Sequence, residues 1–261
     1  HMLANERHSI ILDCVNSKGA ITVSELIRLL DVSAETLRRD LIFLEEQNLL
    51  QRVHGGALAP ASAKKFSNLS QRLNENIAQK RQLSYVASGL INEGDVIAID
   101  SGSTSSEFVP VIKSRFTNLT VITHSVSVFE QLKDKESFKL ILAGGEYLHS
   151  ENVFFGPLAI ETIKKLHAST CFIFPSAISL KYGVADYISE VIPIQKSYME
   201  ISNRVVIMAD SSKFEKTALL KLCDTNSNYT FITSDDLEES IYRLYLNNNI
   251  NLYNSEEDIK K

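Results

Sequence analysis

The sequence predicts an α/β protein in two parts, a small and mainly helical N-terminal domain followed by a larger domain built on an open parallel sheet with helices on both faces. Three observations predict it. Residues 3–58 carry short helical patterns separated by turn residues. Residues 59–75 are small, polar and weakly periodic, the composition of a linker. From residue 76 to 247, long helical segments alternate with short apolar runs and polar turns, as in sheets whose parallel strands are joined by crossover helices. Residues 248–261 read as a polar tail that frays.

Six apolar runs suit buried parallel strands: Val96–Ile99, Leu119–Ile122, Leu140–Ala143, Cys171–Phe174, Val205–Ala209 and Tyr229–Ile232. Helical segments are expected near 78–91, 105–114, 125–133, 157–167, 189–202 and 237–247. Pro110 is expected to end or kink the second of these.

The chain has 261 residues, 44% of them apolar, enough for a substantial core. No run of about 18 apolar residues suggests a membrane span, and no basic start followed by an apolar stretch suggests a secretory signal. A cytoplasmic protein with no membrane partner is expected. His1-Met2 reads as a cloning remnant. Cys14, Cys171 and Cys223 are too scattered for a disulfide framework or a zinc site and read as buried free thiols. Net charge is −5, and residues 1–58 hold six Lys and Arg against eight Asp and Glu. Any nucleic-acid contact must therefore come from a few basic side chains on one face and from helix N-termini.

In the N-terminal domain the first helix covers about Ala4–Asn16, with Ile11, Cys14 and Val15 on its apolar stripe. Ile21 offers a short extended segment. Thr22 and Glu25 form a T-x-x-E capping box, so the second helix starts at Val23 and buries Leu26, Ile27, Leu29 and Leu30. Asp31-Val32 make a turn, and Ser33 caps a third helix from Ala34. Leu37, Leu41 and Leu44 point inward, leaving Arg38 and Arg39 away from the core. Leu49–Ala57, broken by Gly55-Gly56, reads as a β-hairpin carrying Arg52 and His54. A helix, a short turn and a helix with a cationic outer face can enter a major groove, where Arg reads guanine. The same spacing fits a surface helix whose arginines are only solvated.

In the larger domain most strands end in small polar clusters: Asp100-Ser101-Gly102-Ser103-Thr104-Ser105, Thr123-His124-Ser125, Gly144-Gly145, Pro175-Ser176, Asp210-Ser211-Ser212-Lys213 and Thr233-Ser234-Asp235. Ligands of open α/β sheets bind at the carboxyl ends of strands, so these turns point to a shared small-molecule site. The first turn runs straight into a helix and suits a phosphate: Gly102 permits close backbone approach, Ser103, Thr104 and Ser105 offer hydroxyls, and the helix start offers N–H groups. An ordinary helix cap is the alternative. No nucleotide-type glycine loop is present.

Val23-Ser24-Glu25-Leu26, Val32–Leu41 and Leu49–Ala57, with Arg52-Val53-His54-Gly55-Gly56 at its centre, resemble the DNA-binding signature of the DeoR family of transcriptional regulators. The resemblance implies a winged helix-turn-helix with a recognition helix from Ser33 to about Glu46, DNA contacts at Ser33, Thr36, Arg38 and Arg39, and Asp40 ordering the arginines. Residues from about Arg72 to Leu237 are similar to the DeoR sensor domain. Asn76, Lys80, Asp100–Thr104, Gly144-Gly145, Gly156, Gly183, Lys196 and Asp210–Phe214 carry that similarity. It implies a Rossmann-like fold similar to ribose-5-phosphate isomerase and the CoA-transferases. It also implies a phosphate seated on Gly102-Ser103-Thr104, sugar hydroxyls on Asp100 and Asp210, and positive charge from Lys80 and Lys213. Thr123, His124, Ser125, Gly144, Gly145 and Ser176 complete the expected effector site. His124, Phe174-Pro175 and Ser169 depart from the family pattern.

The resulting expectation is a repressor of a carbohydrate-utilisation operon, released from its operator by a phosphorylated sugar, with no cofactor, no catalysis and a homodimeric or homotetrameric assembly. Two alternatives stay open: a DNA-binding protein whose large domain only oligomerises, and a sugar-phosphate isomerase-like enzyme.

Overall fold

The computed structural model describes residues 3–47, 49–53, 55–59 and 68–259. The N-terminal domain comprises α1 (Ala4–Lys18), β1 (Ala20–Thr22), α2 (Val23–Leu30), α3 (Ala34–Glu46), β2 (Gln51–Val53) and β3 (Gly56–Leu58). The strands form an antiparallel sheet in the order β1-β3-β2, so the C-terminal hairpin is a wing anchored beside the start of α2. Thr22 and Glu25 make the expected capping box, and Ser33 Oγ accepts the Thr36 N–H. Ile11, Val15, Leu26, Leu30, Leu37, Leu41 and Leu44 close one small core. Leu29, expected inside, is exposed, because eight-residue α2 buries only the stripe of Leu26 and Leu30, four apart.

Past α4 (Leu69–Leu73) and α5 (Ile77–Ser88), the larger domain runs β4 (Val96–Ile99), α6 (Ser105–Arg115), β5 (Thr120–Thr123), α7 (Val126–Leu132) and β6 (Lys139–Leu142). A hairpin of β7 (Glu146–Leu148) and β8 (Val153–Phe155) leads to α8 (Pro157–Lys164) and β9 (Ala168–Ile173). Then come β10 (Ala177–Ser179), β11 (Gly183–Asp186), α9 (Ile192–Ile201), β12 (Ser202–Met208), β13 (Leu220–Cys223), β14 (Thr230–Ile232), α10 (Glu239–Asn247), β15 (Asn251–Tyr253) and α11 (Glu256–Ile259). Seven strands form one parallel sheet in the order β15-β14-β12-β9-β4-β5-β6.

The strands read as continuous apolar runs because both faces are buried. Residues alternate between two cores. Ala98, Cys171, Ile173, Val205 and Ile207 face α8, α9 and α10, whereas Ile97, Ile99, Phe172, Val206 and Met208 face α5, α6 and α7. No described helix is long and apolar enough to cross a membrane.

Three expectations need correction. Residues 248–259 do not form a frayed tail: β15 pairs with β14 as the seventh strand, and Leu252 and Ile250 are buried, which overrides the polar composition around them. Helix α6 runs through Pro110 to Arg115, since Pro110 lies on the exposed face, where water can replace the bond its missing N–H would make. The cysteines are free thiols, but only Cys171 is buried, while Cys14 and Cys223 are partly exposed. Burial pushes the Cys171 thiol up to about 12, which leaves it protonated and unreactive.

Because Leu252 fills the core from the edge strand, Leu252→Ala should destabilise the protein by about 2–4 kcal/mol in chemical denaturation. Wild-type stability in that variant would show that β15 contributes nothing to the core.

Candidate functional site

The chain order of the main sheet reverses between β4 and β9. Helix α6 leaves β4 toward one face of the sheet, and α9, beyond β9, packs on the other. The loops at the carboxyl ends of these two strands therefore part, and a crevice opens between them. A narrow polar cleft lies there, open to solvent at its mouth. Ser101, Gly102, Ser103 and Thr104 form one wall, and Phe174, Pro175 and Ser176 form another. Lys213 and Arg72 bring positive charge, and Glu151, Asp186 and Gln195 complete the polar lining.

Local geometry explains the first wall. Gly102 has φ +123°, a conformation that favours glycine, and the space where a Cβ would stand is open. Ser105 Oγ donates to Gly102 O at 2.7 Å and Ser106 Oγ to Ser103 O at 2.6 Å, which tightens the turn into α6. Asp100 lies beneath it, fully buried. Its Oδ1 accepts the Ser101 N–H at 2.7 Å, and its Oδ2 accepts the Phe174 N–H at 3.1 Å and Gln195 Nε2 at 2.9 Å. Burial pushes Asp100 up to about 7, although these three hydrogen bonds pull the other way.

Of the residues expected to bind an effector, Ser101, Gly102, Ser103, Thr104, Ser176 and Lys213 line the cavity. The others do not. Asp100 and Ser105 support the first wall from behind. Lys80 is buried, and its Nζ donates to Arg72 O and Glu75 O, both at 2.6 Å, so its ammonium anchors the turn after α4. Burial lowers the Lys80 pKa, with the Asp210 charge opposing. Asp210 is likewise buried, and its Oδ1 accepts from Asn76 Nδ2 and the Ser212 N–H. Thr123 Oγ1 donates to Ile99 O, and Ser125 caps α7. His124 is fully buried against Tyr198, with Nδ1 3.0 Å from the Tyr198 hydroxyl, and burial drives its pKa down to about 3. Gly145 is a packing glycine, since a Cβ there would stand 2.4 Å from Phe155 O; Gly144 is exposed. Phe174 belongs both to the cavity wall and to the core, where it meets Phe108 edge-on.

The sequence reading missed four cavity residues with ionic or amide side chains. Arg72 lies on α4, inside the stretch read as linker, and donates from Nη2 to both oxygens of Glu151 at 2.7 Å. Glu151 comes from the turn between β7 and β8. Asp186 ends β11, and Gln195 lies on α9. The signals for them are faint: a five-residue helix announced only by the Asn68 cap, and strands of three or four residues. No described cluster of three or more His, Cys, Asp or Glu is placed to hold a metal.

On the N-terminal domain, α3 presents Arg38 and Arg39 to solvent, with 66% and 77% of their side-chain surface exposed. Glu35 pairs with both, at 3.8 Å to Arg38 and 3.1 Å to Arg39. Exposed pairs of this kind are worth about 0–1 kcal/mol, so a DNA phosphate or base edge can displace them. Ser33 is exposed and Thr36 half-buried at the helix start. Arg52 is tied to Glu45 of α3 by Nε and by its own N–H, both at 2.7 Å, which braces the wing against the helix. His54 lies outside the described residues. Asp40 does not order the arginines: it is buried and takes Arg7 and His8 of α1 at 2.7 and 2.9 Å. Burial alone would raise its pKa, but those two partners outweigh burial and lower it.

The family profile described as "DeoR-like helix-turn-helix domain" matches residues 7–63, and that described as "DeoR C terminal sensor domain" matches residues 75–235. The chain belongs to the DeoR family. As a DeoR-family protein it is a transcriptional regulator, with a DNA-binding domain ahead of a sensor domain. The L-fucose operon activator of Haemophilus influenzae is 32% identical to it over 92% of this chain and 95% of its own. The HTH-type transcriptional repressor GlcR of Bacillus subtilis is 29% identical over 98% of each chain. The ribose 5-phosphate isomerase A structure from Methanocaldococcus jannaschii covers 54% of this chain and 55% of its own at 16% identity and a TM-score of 0.39, too slight a likeness to argue from.

The buried Asp100 makes a prediction about this DeoR-family sensor domain. Between the ordinary aspartate value and about 7, the folded protein holds a proton that the unfolded chain has released. Stability from this group therefore falls as pH rises through that window and is level above it. Asp100→Asn removes the titration, so the stability of the variant relative to wild type should rise from pH 5 to pH 8. A pH-independent difference would show that Asp100 does not titrate in the window.

Proposed function

We propose that this regulator represses a carbohydrate-utilisation operon and leaves its operator when a small phosphorylated sugar fills the cavity between β4 and β9. The observation that carries this reading is the cavity's two-sided chemistry. One side offers Lys213, Arg72 and the open backbone turn at Gly102, which suit a phosphate. The other offers Gln195, whose buried Oε1 suits a hydroxyl. The names of relatives, regulators of L-fucose and lactose phosphotransferase genes among them, support a sugar-linked role. DNA contacts are assigned to Ser33, Thr36, Arg38 and Arg39, with Arg52 and His54 on the wing. Sensing rather than turnover is favoured because Asp100, Asp186 and Glu151, the buried carboxyls at the cavity, already have both oxygens engaged by donors.

Two physical links lead from the cavity to the DNA-binding domain. The Arg72–Glu151 pair lines the cavity, and Arg72 rides on α4, the first described element after the N-terminal domain. Asp186 pairs across β11 and β13 with Leu220, and the adjacent Leu219 packs on Gly56 of the wing, where a Cβ would stand 2.9 Å from its Cδ1. A phosphate in the cavity competes with Glu151 for Arg72 and moves α4. In a dimer or tetramer, that movement shifts two recognition helices off paired half-sites.

Thermal shift with a panel of sugar phosphates, joined to gel shift on the protein's own upstream region, tests the reading. A sugar phosphate should raise the melting temperature and release the DNA; a panel with no effect on either favours a domain that only oligomerises, and ketose formation from ribose 5-phosphate would favour an enzyme. Arg38→Ala should lose about 1–3 kcal/mol of operator affinity while keeping the thermal shift. Unchanged affinity would remove Arg38 from the DNA-reading surface. Glu151→Gln should free Arg72 for the anion and tighten inorganic phosphate binding severalfold by calorimetry; weaker binding would contradict the competition.

A further inference from the structure

Gln195 enters the cavity wall from α9 and is 1% exposed. Its Nε2 donates to Asp100 Oδ2 at 2.9 Å and to Asp186 Oδ2 at 3.3 Å. Above the pH at which Asp100 titrates, the two carboxylate oxygens on the same side fix the amide's orientation, because the flipped amide would set its oxygen against them. Oε1 is left buried with no hydrogen-bond partner among the described residues. A buried amide oxygen without a donor carries a desolvation cost that native structures normally avoid. The adjacent groups do not supply the donor. Asp186 takes the Ser176 hydroxyl and the Tyr187 N–H on Oδ1 at 2.8 Å each, so the nearby hydroxyl is already turned away.

We propose that Gln195 is the specificity-determining residue of the effector site, with Oε1 accepting a hydroxyl on the uncharged end of the bound molecule. This rests on the effector reading above. The site then takes an anion that carries a hydroxyl at a distance from its charge, and it discriminates against anions lacking that hydroxyl. The geometry around Gln195 favours a donor over any other group. Asp100 and Asp186 hold the amide from behind, so it cannot turn to present its NH2 without losing both. A ligand carbonyl would meet oxygen with oxygen, and a methylene would leave Oε1 as unsatisfied as before. Sites that hydrogen-bond a substrate hydroxyl reject analogues without it more strongly than apolar pockets reject a missing methylene. The cations Arg72 and Lys213 line the same cavity, so charge and hydroxyl are read by different residues.

The test is calorimetric titration of the full chain with inorganic phosphate, glucose 6-phosphate, fructose 6-phosphate and ribose 5-phosphate, followed by single-deoxy analogues of the tightest of these. The tightest sugar phosphate should bind at least about tenfold more strongly than inorganic phosphate, and one deoxy analogue should lose at least about tenfold against its parent. Gln195→Met should close the gap between parent and analogue. In wild-type protein the side-chain carbonyl 13C resonance of Gln195 should move on saturation with the parent and stay in place with that deoxy analogue. This readout needs no variant and stands if Gln195→Met does not fold. A parent sugar phosphate that binds without moving the resonance, or a Met variant that keeps the gap, overturns this inference and leaves the effector reading intact. If no sugar phosphate binds more tightly than inorganic phosphate, both fall.

Discussion

Asp100 sits at the end of β4, and its carboxyl accepts N–H groups from just beyond both central strands, Ser101 after β4 and Phe174 after β9. That clamp sets how the two strands part. It is made at the one place where the chain order of the sheet reverses, so the loops on either side are held open by a polar group rather than packed shut. Gln195 adds a third donor from α9, on the opposite face from α6, and joins Asp100 to Asp186. These few bonds tie the turn after β4, the turn after β9 and α9 to one another. A buried carboxyl is expensive unless several donors satisfy it, and its displaced pKa is the residue of that cost.

Much of this was legible in the sequence, and the reasons it was not complete are physical. Strands buried on both faces announce themselves as apolar runs, so β4, β5, β6, β9, β12 and β14 could be read within a few residues. The wing and its helices were legible because caps and glycines carry local information. The strands β7, β8, β10, β11 and β13 carry three or four residues each and take their conformation from their partners, so no period shows. Those are the segments that supply Glu151 and Asp186. Strand β15 was hidden by its own polar surroundings, since only Leu252 of its three residues is buried. The site suffered in the same way: glycine and hydroxyl turns could be placed at the sheet edge, but burial decided that Lys80, Asp100 and Asp210 stand behind the cavity rather than in it. Chain position gives the type of side chain near a site; only packing says which atoms are left over.

The leftover atoms are informative because they are few and gathered at this edge. His124 Nε2, Gln195 Oε1, Asp210 Oδ2 and Thr233 Oγ1 are buried without partners among the described residues; His124 and Thr233 directly follow β5 and β14, and Asp210 stands two residues past β12. Elsewhere the same chain satisfies its buried polar groups, as at Asp40, where Arg7 and His8 leave no oxygen idle. Of the four, only Gln195 Oε1 belongs to a residue that lines the cavity, and on the proposed reading the donor it lacks is one that a hydroxylated ligand brings.

Under the proposed coupling, the charge distribution of the N-terminal domain makes a modest movement at that edge enough to act on DNA. Of six basic side chains in residues 1–58, Arg7 is spent on Asp40 and Arg52 on Glu45, while Arg38 and Arg39 share Glu35. With acidic residues in excess, few cations remain to displace counterions from the DNA backbone, and non-specific attraction is weak. In the proposed dimer or tetramer, affinity then depends on seating paired helices in register rather than on bulk charge, and register is lost by small displacements. On that proposal, a sensor that tugs on α4 and on the wing through Leu219 need not melt anything. It only has to move one helix relative to its pair.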